Sequence, residues 1–405
     1  MSAVAQAGKQ IPRIVLTDPE LLRDPFDFYG RAREESPLVR LLALGITPMW
    51  GLTRHEDARA MLADPRFVFT AESLRIRPDV PDAGEEYLSL MLLDDGGHKR
   101  VRRLVSSAFT PRRAEQFRAR LHGVVDGLLD ELEGEVGEDG SVDLLRHFAK
   151  PLPIDASCEF LGIPQPDRLR WRRYGATANA AEGSSFAEIM PATVEDTKLA
   201  IERRRSEPAD DVISDLLRAQ REDAEALSDV ELEALVWNTI MASSTVADFV
   251  GNAVLAVLTH PEQLALLRED PSLMPGAVEE LIRWSALTLM SIPRYAREDV
   301  ELFGVVIRAG SPIVAVLASA NRDPRVFTDP DRLDVTRPVV SPGHFGFLHG
   351  PHTCLGISVA RVLCDVALTV LLRRYPALAL AVSVEEVRRV PDPGTWRLES
   401  LPVTL

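Results

Sequence analysis

Cys354 stands in the run Phe347-Leu348-His349-Gly350-Pro351-His352-Thr353-Cys354-Leu355-Gly356, a glycine-bearing loop that ends in one thiol just before an apolar helical pattern. A thiolate at a helix N-terminus is favoured by unpaired backbone N–H groups and by the helix dipole, which lower its pKa and suit it to bind a metal. No second cysteine lies nearby. The C-x-x-C pairing of structural zinc, disulfide or iron–sulfur sites is therefore missing, and ligation of a metal by a single thiolate is the leading chemistry. A buried cysteine packed as a small hydrophobe is the alternative. It leaves the surrounding glycines unexplained, whereas it suits Cys158 and Cys364.

Three other groups of residues could do chemistry. His98 and Arg102 are four apart, so on a helix they project from one face and can both donate to an anionic group. Glu280 and Arg283 are three apart, and such pairs are mostly solvated and worth a few tenths of a kcal/mol. Ser244 and Thr245 place two hydroxyls inside a long apolar pattern; hydroxyls in a helix commonly bond back to carbonyls one turn earlier.

The elements that must position these residues are mostly helical. The longest pattern begins at Ser228, where Ser-Asp-Val-Glu231 reads as a capping box, and runs to Leu258 ahead of His260-Pro261. That is about 30 residues, or roughly 45 Å, enough to cross a domain. Only Asp248 is ionisable between Ala234 and Leu258, so the helix is expected to be buried on most sides. Val300–Ile307 and Ile313–Leu317 read as strands separated by the turn at 309–312. A mainly helical fold with small sheets follows.

Composition excludes several classes of function. The net charge of −15 opposes a nucleic-acid partner, which needs locally dominant Lys and Arg. Residues 1–16 hold no stretch of signal-peptide type, and no run of about 18 uncharged apolar residues marks a membrane span. Three cysteines in 405 residues suit a reducing compartment, and the expectation is a cytoplasmic monomer with no membrane association. No repeat or linker divides the chain, so residues 1–405 are expected to form one domain.

Phe-x-x-Gly-x-x-x-Cys-x-Gly, matched by Phe347, Gly350, Cys354 and Gly356, resembles the haem-binding signature of the cytochrome P450 family. Four further segments between residues 91 and 361 follow the family's order and spacing. The resemblance implies a bundle of helices with small sheets and a haem b held between the long distal helix and the Cys354 loop. His98, Arg102, Arg294 and His352 match contacts to the haem propionates. Glu280, Arg283 and a third partner, Arg337 or alternatively Arg332, match a buried structural cluster. Thr245 matches the threonine that relays protons during dioxygen reduction, and Ser244 stands where the family usually has an acid. A serine can hold a water but is no proton reservoir near neutral pH.

Other departures are Leu348 in place of a glycine, Thr353 in place of a frequent aromatic residue, and Asp94-Asp95-Gly96-Gly97, expected to loosen the approach to His98. At Leu348 the backbone must keep a negative φ or tolerate strain. Segments that line the family's substrate pocket fall at 67–92, 175–191, 236–246, 286–292 and 395–397, with Glu72, Leu90, Asn238, Leu287, Ser291 and Trp396 as candidate contacts. Their mixed polarity suits a mostly apolar small molecule with a few hydrogen-bonding groups. The resemblance further implies a monooxygenase of bacterial secondary metabolism, using dioxygen and electrons from a ferredoxin and ferredoxin reductase. Because the acid is absent, oxidative C–C or C–N coupling, for example of a cyclodipeptide, stays open, as do a peroxide-driven peroxygenase and a non-catalytic haem protein that binds ligands.

Overall fold

The computed structural model describes residues 11–74, 95–178, 183–222 and 227–405. Helices dominate, and the way they begin explains where they lie. Pro111–Glu133 starts where Thr110 Oγ1 accepts the Arg113 N–H at 3.2 Å and Pro111 takes a position needing no donor. Its buried residues, among them Ala114, Phe117, Leu121, Val125, Leu128 and Leu132, recur every three or four positions and form one apolar stripe. That stripe belongs to the main hydrophobic core, and the helix packs against Ile357–Arg374, the helix that follows Cys354.

The expected capping box is present: Ser228 Oγ accepts the Glu231 N–H, and the Glu231 carboxylate accepts the Ser228 N–H. The helix it opens is not continuous. Asp229–Ser243 and Thr245–Thr259 meet at Ser244, which holds the hinge through a Ser244 N–H to Met241 carbonyl bond of 3.3 Å. Ser243 Oγ donates to the Ile240 carbonyl at 2.6 Å, a local bond of the type that competes with the helical ladder. By length and composition 229–259 is long and apolar enough to cross a membrane, with an 18-residue window of mean hydropathy 1.5, although its acidic residues, Asp248 among them, leave no run of 18 uncharged residues. Most of it is buried within the protein, as the core helix of a globular fold would be.

Three sheets flank the helices. The largest has the strand order 13–15, 38–43, 46–52, 312–315, 294–296, 67–68, with parallel pairing between the first two and between 46–52 and 312–315. The second joins 379–380, 402–404 and 141–143. The third corrects an expectation. Val300–Ile307 is a hairpin of Val300–Leu302 and Val305–Ile307, turning at Phe303 and Gly304, both with positive φ (54° and 77°). The apolar run concealed a turn that glycine permits. Likewise the second expected strand stops at Ala315, and Leu317 opens a short helix.

Candidate haem-thiolate site

The Cys354 loop is tied back on itself. The Cys354 N–H donates to the Phe347 carbonyl at 2.9 Å, and Thr353 gives both its N–H (3.1 Å) and its hydroxyl (2.8 Å) to the Gly350 carbonyl. Gly350 has φ 80°, and a Cβ there would stand 2.5 Å from the Leu62 carbonyl oxygen, so only glycine fits both the turn and the close approach. Leu348 takes φ 58°, the strained alternative, and packs against the cluster around Leu38, Leu52 and Phe345. Arg361 lies over the Phe347 ring at 5.2 Å. Gly356 caps Ile357–Arg374.

Cys158 and Cys364 are buried in the core, while Cys354 is exposed. Protein atoms nevertheless crowd its sulfur, and this desolvation pushes the thiol pKa up; the Gly356 N–H and the charge of Arg102 pull it down without prevailing. The lowered pKa expected from the helix N-terminus is thus not realised by the protein alone. A bound metal cation supplies the missing positive charge and deprotonates a coordinating thiol outright.

Three residues expected at the propionates come from distant segments and meet here. His98, in the helix Asp95–Val105, stacks on His352 of the loop with ring centroids 4.3 Å apart. His352 meets the edge of Phe69 at 4.7 Å, and the Arg294 guanidinium lies 5.1 Å from the centre of the same Phe69 ring. Arg294 is 3% exposed; Nη1 donates to the Leu62 carbonyl at 2.7 Å, whereas Nε and Nη2 are buried without an acceptor. Burial pushes its pKa down to about 10, and no carboxylate offsets it. Two orphaned donors on a buried cation are what an anionic ligand would satisfy, so the residues fit a cofactor bearing carboxylates. Arg102 donates from Nη2 to the Thr353 carbonyl at 2.6 Å, holding the helix to the loop. Phe69 was missed because nothing in the sequence marks it. Gly96 and Gly97 lie inside the helix Asp95–Val105, so from Asp95 on the loosened approach is not seen; Asp94 lies outside the described residues.

Behind the loop, Arg283 and Glu280 form a bidentate pair at 2.7 and 2.8 Å, both nearly inaccessible to solvent. Arg337, and not Arg332, is the third member, with Nε 3.0 Å from Glu280. Glu280 also accepts the Asp334 N–H, and the remaining guanidinium donors reach the carbonyls of Asn321, Pro330, Thr328, Asp329 and Arg332. Every charge in this cluster is answered. Isolated surface pairing does not describe it.

On the distal side Thr245 Oγ1 donates to the Ala242 carbonyl at 3.1 Å, so its lone pairs stay available. Ala242 and Thr245 are exposed in the middle of an otherwise buried helix pair, and Asn238, Met241 and Asp248 on the same face are half-buried. The spacing 238, 241, 242, 245, 248 is one helical stripe left open to solvent. Asn238 Nδ2 donates to the Ala234 carbonyl. Among the other substrate candidates, Glu72 is exposed, and Leu287 packs on the core while its carbonyl accepts the Trp396 N–H. Ser291 is buried with its hydroxyl accepting the Ala315 N–H at 2.9 Å, and Trp396 stacks on Arg389 at 4.1 Å and meets Phe26 edge-on. Those last two side chains serve the sheet and its neighbouring cluster. Leu90 lies outside the described residues.

A fold of this kind, with one exposed cysteine in a tied-back loop and a buried arginine whose donors lack acceptors, has what a haem-thiolate protein requires. The chain belongs to the cytochrome P450 family: the family model described as Cytochrome P450 matches residues 183–387. It is 40% identical over 376 residues to "Mycinamicin IV hydroxylase/epoxidase" of Micromonospora griseorubida, covering 89% of this chain and 90% of the relative. It is likewise 40% identical over 385 residues to "Nocardicin C N-oxygenase" of Nocardia uniformis subsp. tsuyamanensis, covering 92% of both. Among solved structures, the cytochrome P450 PksS of the Bacillus subtilis 168 bacillaene polyketide synthase superposes with a TM-score of 0.85 at 32% identity, covering 96% of this chain and 99% of that one. The protein is a cytochrome P450 oxidoreductase of the bacterial type, and its cofactor is haem b.

Proposed function

We propose that this enzyme inserts one oxygen atom from dioxygen into a mostly apolar small molecule of bacterial secondary metabolism, as a cytoplasmic monomer. It takes electrons singly from a separate ferredoxin and ferredoxin reductase. The carrying observation is the open stripe on the broken helix, where an exposed Thr245 is flanked by apolar Met241 and Ala242 and by polar Asn238. Such a surface suits an apolar ligand with a few polar groups.

Cys354 would hold the haem iron; Arg294, His98, His352 and Arg102 would hold its carboxylates, and Glu280, Arg283 and Arg337 would brace the loop from behind. Bound through a thiolate, haem supplies the activation of dioxygen. The chain's own part is to exclude bulk water, orient the substrate against the stripe and hold a water on the Ser244 and Thr245 hydroxyls, from which a proton can be passed. The activities for which the two similar enzymes are named, hydroxylation, epoxidation and N-oxygenation, favour oxygen insertion over coupling.

Product masses from a panel of apolar substrates, with surrogate ferredoxin and reductase, test this reading. Gain of one oxygen is expected. Loss of two hydrogens or joined reactants would replace it by oxidative coupling, turnover with peroxide alone by a peroxygenase, and tight binding without product by a ligand-binding haem protein.

A further inference from the structure

We propose that Asp248 is the ionisable group through which protons reach the Ser244–Thr245 hydroxyls on the open stripe of the broken helix. The proposal rests on the monooxygenase reading above. Oxygen insertion consumes two electrons and two protons for each dioxygen and releases one water. The protons must cross a buried region to a helix whose hydroxyls do not ionise near neutral pH.

Asp248 follows Ser244 by four residues and Thr245 by three, which puts side chains on one helical face with Cβ atoms about 5–6 Å apart. It belongs to the half-open stripe, and it is the only ionisable residue between Ala234 and Leu258. It also lies in the first turn of Thr245–Thr259, one turn beyond the break at Ser244. Its carboxyl accepts no hydrogen bond from any described residue.

The charged groups facing it are Arg397, Lys150 and Asp392. Two of these are already committed. Asp392 accepts from the Gly394 N–H (2.8 Å), the Thr395 hydroxyl (2.9 Å) and Arg397 Nη2 (3.2 Å), and Arg397 Nε donates to Thr395 at 3.0 Å. Arg397 therefore lends its charge without closing a salt bridge to Asp248. Burial pushes the Asp248 carboxyl up to about 6, against the opposing pull of Arg397 and Lys150. A carboxyl poised there both releases and recaptures a proton near neutral pH. Twice in each cycle Asp248 passes its proton to a water held by the hydroxyls, and it is reprotonated from solvent after each transfer.

The test uses the haem-loaded full chain and the variants Asp248→Asn and Asp248→Glu. Infrared difference spectra across pH should show a protonated carboxyl band that titrates near pH 6 and is missing in Asp248→Asn. With a substrate identified by the product screen, Asp248→Asn should raise the share of electrons lost as peroxide several-fold and flatten the pH dependence of coupling, with substrate Kd changed less than twofold. Asp248→Glu should recover most of the coupling. Unchanged coupling and pH profile in Asp248→Asn would overturn the proposal, as would a tenfold weaker Kd with coupling intact, which would make Asp248 a substrate contact. Wild-type protein that yields no oxygenated product under any electron supply would instead sink the monooxygenase reading, and this proposal with it.

Discussion

The two faces of the cofactor site are built on opposite principles. On the proximal side the Glu280, Arg283 and Arg337 side chains reach one another and five backbone carbonyls, and the Cys354 loop is bonded to itself at Phe347 and Gly350. On the distal side the helix is broken at Ser244, hydroxyls and a carboxyl face an open stripe, and the carboxyl lacks a hydrogen-bond partner among the described residues. The contrast separates two tasks. A residue that is to hold iron must not move, so the Cys354 loop is bonded to itself and backed by an ion cluster with every charge answered; a surface that receives a variable ligand and passes protons must keep capacity in reserve.

The largest expected effect is on ligation. Cys354→Ala should abolish the red-shifted Soret band of the reduced carbon monoxide complex, while replacing Cys158 or Cys364 by alanine should leave it; a normal spectrum without Cys354 would break the proximal assignment. Next, Glu280→Ala leaves two guanidinium groups unanswered and should cost about 3–5 kcal/mol in denaturant unfolding, lowering the yield of haem-loaded protein. An equally stable, haem-replete variant would show that the cluster is not what braces the loop.

Arg294→Met tests the cradle between the faces. It removes a buried cation with two unanswered donors, so the apo-protein should gain about 1 kcal/mol while haem dissociates faster. Loss of stability in the apo form would contradict that reading.

The faces should also respond to acid with opposite signs. Burial pushes Glu279 up, but His344 and the bidentate Arg361 outweigh it and leave the carboxyl at about 2, below its usual 4.5. Its contribution, about 1–2 kcal/mol after screening, is present above pH 4.5 and disappears as pH falls through about 2. Asp248 is raised from 3.8 to about 6, so stability is full below pH 4 and is lost as pH rises through about 6. Unfolding midpoints across pH should show Glu279→Gln destabilised increasingly from about pH 2 to pH 4.5 and fully above it, and Asp248→Asn stabilised increasingly from about pH 4 to pH 6, reaching about 2 kcal/mol above pH 6. Parallel profiles would erase the distinction.

The smallest effect concerns Leu348. Changing it to glycine relieves a positive φ worth about 1–2 kcal/mol but loses side-chain packing, so stability should shift by less than about 1 kcal/mol. Leu348→Ala keeps the strain and loses the packing, and should cost about 2 kcal/mol in the same unfolding assay.

What could be read in the sequence follows the range of the forces involved. The Ser228–Glu231 cap and the Gly350 turn are local, and their residues announce them. Glu280, Arg283 and Arg337 were accessible through spacing and family order, although the choice between Arg332 and Arg337 needed geometry. The break at Ser244 was hidden because the apolar pattern resumes on both sides of the three hydroxyl residues at 243–245. The hairpin at Phe303 was hidden for the same reason. Asp248 was visible as a lone charge, but its poise comes from burial and from Arg397, which no periodicity connects to it.

The Leu62 carbonyl, which receives Arg294 and presses on Gly350, has a consequence for biosynthesis. Arg294 is 232 positions downstream of Leu62, and Arg102 reaches the loop across 251 positions. Contacts of such sequence separation form late, after the intervening segments have collapsed. A chain still emerging from the ribosome has Leu62 and Arg102 in hand long before residue 354 is made, so the prosthetic group has no complete berth until the chain has grown past that residue.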